Sequence, residues 1–162
     1  MTTPPLRRVD AAPDRFRAFV VGQSASMTRT VSDTDIVLFA AVTGDCNPVH
    51  LDDAHAVLSG FRGRIAHGML TAGLVSATMA MQLPGPGAVY LSQTLRFVRP
   101  VRIGDVITTR VEIVELLPDK RHLRLTTVCR NQTDKVVLDG EAIVLVPSLH
   151  SVPSLHSVLS LL

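Results

Sequence analysis

Residues 67–83 read HGMLTAGLVSATMAMQL, with no Asp, Glu, Lys or Arg among them. Wound at 3.6 residues per turn, this stretch is apolar on nearly every side. It predicts a helix that lies inside the fold rather than on its surface. Small residues at Ala66, Gly68, Ala72, Gly73, Ala77 and Ala80 let other backbone come close. Pro84-Gly85-Pro86-Gly87 then ends the helix abruptly. Such a helix needs a cover, and the residues that follow supply one.

Beyond Gly87 the period changes from 3.6 to 2. Val89, Leu91, Leu95 and Phe97 alternate with Tyr90, Ser92, Thr94 and Arg96. Ile107, Thr109, Val111 and Ile113 alternate with Thr108, Arg110 and Glu112. Leu123, Leu125, Thr127 and Cys129 alternate with Arg124, Thr126 and Arg130. Val136, Leu138, Ala142, Val144 and Val146 alternate with Asp139 and Glu141. Each set predicts one half-buried antiparallel strand, and a weaker strand is expected within 18–30. Upstream, Ser32 with Asp35 three residues on forms a capping box before IVLFAAV, and Gly44 is placed as a left-handed stop. A helix over 33–43 follows, with GDCNPVH (44–50) as the loop after it. Asp52 or Asp53 caps a second short helix, AHAVLS, ended by Gly60. One uncharged helix and a run of strands give an α+β layer. The helix has the character to lie along the concave face of a curved antiparallel sheet.

The chain has 162 residues, enough for one domain with a core of its own. Hydrophobic residues make up 46% and charged residues 19%, which excludes a disordered chain. Lys plus Arg less Asp plus Glu is 16 − 14 = +2, too small an excess to argue for nucleic acid or an anionic membrane surface. No run of ~18 uncharged apolar residues reads as a membrane span. Residues 1–17 form a loose leader with Pro4, Pro5 and Pro13 and no apolar signal core. Residues 148–162 read as an appended tail, which carries most of a repeated hexad, VPSLHS at 146–151 and again at 152–157. Its His150 and His156 are read as copied with the hexad rather than as metal ligands. Cys46 and Cys129 have neither metal-type spacing nor a disulfide framework, and a reducing cytoplasm is the expected compartment.

Two features carry chemistry. In Gly44-Asp45-Cys46-Asn47-Pro48-Val49-His50, a carboxylate and an imidazole lie five residues apart on a loop stiffened by Pro48. They can converge on one water, one as base and the other as acid or orienter. The competing reading is a turn-capping Asp and a His bonded to a carbonyl. In Ala66-His67-Gly68-Met69, Gly68 stands at the start of the uncharged helix. The N–H groups there have no partner in the helix, and the dipole favours negative charge. That makes a candidate oxyanion site, against a glycine admitted only by crowding. His67 carries two readings as well, a residue that orders the helix entrance or a functional group.

TGDCNPVHLDD, RIAHGML and LRFVRPVRIGD, in that order, resemble the MaoC-like family of hotdog-fold hydratases. The resemblance covers residues 18–147. Within the family it is nearest to the (R)-specific enoyl-CoA hydratases that feed polyhydroxyalkanoate synthesis. The resemblance implies a hotdog fold and a hydro-lyase, with Asp45 and His50 as the pair that activates water. It further implies Asn47 as the loop asparagine that holds the loop and orients the pair, and Gly68 as the N–H donor to the thioester oxygen. Ser76 falls where some of these hydratases carry a serine important for activity, though a serine bonding back to its own helix is the structural alternative. Met79 falls where the family lines its acyl pocket. Gly68 and Ser76 are ~12 Å apart along a helix, so both cannot touch one reacting atom.

The expected reaction is reversible addition of water to a trans-2-enoyl-CoA, giving an (R)-3-hydroxyacyl-CoA. No cofactor is expected, coenzyme A being the substrate's handle, and no metal-ligand cluster is read from the sequence. A homodimer joining two sheets edge to edge is expected, because one sheet covers only part of so apolar a helix and leaves an open edge. Arg96, Arg99 and Arg102 carry two readings, contacts for the CoA phosphates or solvated strand arginines, and the second is the more usual one. The rival readings are a hotdog acyl-CoA thioesterase, a 3-hydroxyacyl-carrier-protein dehydratase of fatty-acid synthesis, and a non-catalytic acyl-CoA-binding protein.

Overall fold

Ser32 opens the first helix as a capping box should. Its hydroxyl accepts from the Asp35 N–H at 3.1 Å, and the Asp35 carboxylate accepts from the Ser32 N–H at 2.9 Å. The computed structural model describes residues 14–148, so most of the repeated hexads and most of the leader lie outside the described residues. Helix α1 spans Asp33–Thr43 and stops at Gly44, whose φ of 77° is the left-handed cap. Two short helices follow, α2 (Pro48–Leu51) and α3 (Asp53–Leu58), then the long helix α4 (Gly68–Met81). The strands are β1 (Ser24–Thr30), β2 (Val89–Phe97), β3 (Val106–Leu117), β4 (His122–Arg130) and β5 (Val136–Leu145).

The five strands form one antiparallel sheet in the order β1-β3-β4-β5-β2. Register breaks at Tyr90/Ser92, Ile113/Glu115 and Cys129/Arg130 bend and twist the strands around the helix. Helix α4 packs mainly on β3 and also reaches β1, β4 and β2. Val75 and Met79 of α4 meet Ile107, Val111, Ile113, Leu123, Leu125 and Val144 in the core, all at most 2% exposed. Each such burial is worth about 1.5–3 kcal/mol before the entropy of ordering the chain. Gly140 marks the closest strand approach. A Cβ there would overlap the main-chain oxygen of Thr94 on β2, so only glycine fits.

Two expectations change in the folded chain. The second half of the GDCNPVH loop is helical, because Asn47 caps Val49 and Pro48 occupies the first helical position. Residues 14–17, assigned to the loose leader, are packed. Phe16 is buried, Asp14 pairs with Arg121 at 2.6 Å, and Arg15 donates to the main-chain oxygens of Pro84 and Pro86. The Arg121 guanidinium beside Asp14 holds its carboxyl down at about 2. Helix α4 is not covered on every side within one chain: Met69, Gly73, Ser76 and Ala80 form an exposed stripe. Strand β2 is an open edge with Val89, Tyr90 and Leu91 exposed. Among the described residues, no helix is long and apolar enough to cross a membrane.

Candidate active site

Asn47 turns the chain after α1 so that Asp45 and His50 face one cleft. The Asn47 side chain accepts from the Val49 N–H at 3.3 Å, while its own N–H donates to Asp45 Oδ1 at 3.3 Å. These are long, soft contacts. His50, on α2, is 9% exposed, and its Nδ1 lies 2.8 Å from the main-chain oxygen of Ile65. A carbonyl only accepts, so Nδ1 carries the hydrogen and Nε2 is left to work.

The start of α4 forms the facing wall. The Ala66 N–H donates to Val101 at 2.7 Å and fixes the approach to the helix. Gly68 is its first residue, so its N–H has no acceptor within the helix. No acid in the first turn of α4 offsets the dipole. The Phe97 ring lies directly over Gly68: a Cβ there would stand 2.8 Å from Phe97 Cε1. The cleft between these walls has a volume of about 470 Å³, and Asp45, His50 and Gly68 all line it. Ile65, Val98, Val101 and Val137 give it an apolar floor suited to a hydrocarbon chain.

His67 belongs to the same cluster, a role the sequence left undecided. It is 1% exposed, its ring centroid is 3.9 Å from that of His50, and its Nε2 is 2.9 Å from the main-chain oxygen of Asp45. Asp45, His50 and His67 each offer a ligand atom, all within 4.8 Å of one another. The expectation that no metal-type cluster exists therefore fails at the level of geometry. The fold assembles one from residues whose spacing in the chain gives no such signal.

The remaining candidates fall elsewhere. Ser76 lies on the exposed stripe of α4, away from the cleft walls, and Met79 is buried in the core at 2% exposure. Of the three arginines, only Arg99 lines the cleft, and it donates to the Val136 oxygen at 2.6 Å. Arg96 is held by both carboxylate oxygens of Asp139, at 2.9 and 2.6 Å. Cys46 is exposed and Cys129 buried, and both are free thiols.

Residues 19–137 match the MaoC like domain. The chain is 51% identical over 132 residues to the 3-hydroxybutyryl-CoA dehydratase of Methylorubrum extorquens AM1, covering 82% of this chain and 83% of that protein. It is 48% identical over 133 residues to the (R)-specific enoyl-CoA hydratase of Rhodospirillum rubrum, covering 82% and 92%. The unliganded R-hydratase PhaJ1 of Pseudomonas aeruginosa superposes with a TM-score of 0.78 at 46% identity, over 86% of this chain and 94% of that one. With the family match spanning residues 19–137 and identities near one half over four-fifths of the chain, on a five-stranded antiparallel sheet packed on a central helix, the chain belongs to the MaoC-like dehydratase family of hotdog proteins.

Proposed function

We propose that this protein is an (R)-specific enoyl-CoA hydratase, a hydro-lyase that adds water reversibly to trans-2-enoyl-CoA and yields (R)-3-hydroxyacyl-CoA. The observation that carries the reading is the meeting of Asp45, His50 and Gly68 on one apolar-floored cleft, in a chain 48% identical to an (R)-specific enoyl-CoA hydratase. Asp45 and His50 Nε2 hold the water beside C3, and one of them takes its proton as the C3–O bond forms. The electron pair of the double bond moves towards the thioester oxygen, where the Gly68 N–H and the positive end of α4 meet it. The same pair then delivers a proton to C2, so H and OH are both accounted for. The chemistry is acid–base throughout and the reading takes no cofactor. Coenzyme A is the handle, with Arg99 at the cleft wall as its candidate cation.

A chain-length series of enoyl-CoA substrates with chiral analysis of the product tests this. Loss of the conjugated enoyl absorbance without release of free thiol, and an (R) product, are expected. Thiol release would mean a thioesterase, binding without turnover a non-catalytic protein, and turnover of carrier-protein substrates alone the fatty-acid dehydratase.

The same reading takes a homodimer. The exposed stripe Met69, Gly73, Ser76 and Ala80 and the open β2 edge are apolar surfaces that a second copy would cover. Light scattering after size exclusion should give twice the chain mass of 17.5 kDa. A monomer at micromolar concentration would remove the dimer from the proposal.

A further inference from the structure

Asp45 and His50 are each fixed by contacts of unequal quality. The ring of His50 is tied to Ile65 at 2.8 Å. Asp45 is exposed, and its local ties are long: its N–H to Thr43 Oγ1 at 3.3 Å, and its Oδ1 from the Asn47 N–H at 3.3 Å. Among the described residues, the one short side-chain contact to this turn is from His67 Nε2 to the Asp45 oxygen, at 2.9 Å. Because that oxygen only accepts, Nε2 carries the hydrogen and the neutral ring keeps its lone pair on Nδ1. His67 Nδ1 is buried and has no partner, so no second hydrogen bond competes for the ring's orientation.

His67 itself is well anchored. It precedes Gly68 at the head of α4, its oxygen accepts from the Leu70 N–H at 3.1 Å, and Phe39 of α1 packs on its ring at 4.8 Å. Its ring also lies against His50, with an interplanar angle of 32°. One buried imidazole thus touches both members of the proposed pair, the turn that carries Asp45 through its edge and His50 through its face.

We infer that His67 is a positioning residue that sets the distance between Asp45 and His50, tying the Asp45 turn to the head of α4 through Nε2–H. The inference rests on the hydratase reading and extends it to a residue outside the reacting pair. Misplacing a reacting group by ~1 Å costs on the order of 10²-fold in rate, so a residue that never meets substrate can still control turnover.

The test compares His67→Gln with His67→Asn on a short trans-2-enoyl-CoA. Glutamine can place an amide N–H near the Nε2 position, and asparagine is too short. His67→Gln is expected to keep kcat within about fivefold of the parent, the residue of the loss coming from the missing ring face. His67→Asn is expected to lose about 30-fold or more in kcat with KM within about threefold, at matched thermal midpoints. Equal kcat for the two variants overturns the inference. Nitrogen-15 NMR on the unaltered protein gives a second reading that needs no variant. The Nε2–H tautomer of His67 is expected, and an Nδ1–H tautomer overturns the inference even if the variants do not fold. An unaltered protein that fails to hydrate enoyl-CoA overturns the hydratase reading instead, and the tautomer then decides alone whether the tie exists.

Discussion

Asp45→Asn should lower kcat for hydration of a short trans-2-enoyl-CoA by roughly 10²–10⁴-fold, the usual worth of a positioned general acid–base group. The substitution preserves shape. An asparagine oxygen can still accept from the Asn47 N–H that now lies 3.3 Å from Asp45 Oδ1, so the turn has no reason to move. What it removes is the ability to take a proton from the attacking water. His50→Ala should cost a similar factor, and it also strips the ring that packs 3.9 Å from His67, so its thermal midpoint should fall as well. If the two side chains serve one water, the double variant should be little worse than either single one. Following the enoyl absorbance at saturating substrate, with circular dichroism to establish the fold, decides the matter. Activity within a few-fold of the parent in either variant removes these residues from the reaction.

The parts of this arrangement that local chemistry dictates were legible beforehand. The Ser32–Asp35 box, the left-handed Gly44 and the uncharged run that became α4 are each written in a few adjacent residues. The period-2 runs likewise gave β3 and β4 with the buried face as expected. Helix α2 was not legible, since four residues are too few to show a period and its only signs are Asn47 and Pro48. His67 was legible as a residue but not as a partner. Its contact with the Asp45 turn is made to a main-chain oxygen 22 residues away, and an oxygen that every residue possesses leaves no mark on composition or spacing. Ser76 shows the opposite limit. The resemblance offered it a supporting role; within one chain it stands on the exposed stripe about two turns along α4 from Gly68, outside the residues that line the cleft. Helical phase explains why α4 is apolar all round in sequence but covered on one side within a single chain. Its second apolar face awaits a neighbour that periodicity cannot name.

Gly68→Pro should reduce kcat/KM by a further 10²–10³-fold or so relative to Gly68→Ala, and the comparison separates the two things this glycine supplies. Alanine keeps the N–H but places a Cβ 2.8 Å from Phe97 Cε1. That carbon is the far end of an exposed side chain, so the ring can swing aside and the cost is a reshaped cleft, about 10-fold in kcat/KM by the scale of small misplacements. Proline adds the loss of the N–H itself. The site tolerates it on backbone grounds: it is the first position of α4, where no intrahelical bond needs that hydrogen, and the preceding His67 has φ −57° and ψ 137°, a conformation proline accepts. The helix should therefore survive, which a thermal midpoint close to that of the alanine variant would establish. The reacting carbonyl would then face a carbon in place of a donor, and the charge that builds on its oxygen would have the dipole of α4 alone to meet it. Equal activity in the proline and alanine variants would mean that the enolate-like oxygen is stabilised by some other group, and Gly68 would revert to a glycine that merely makes room for the ring above it.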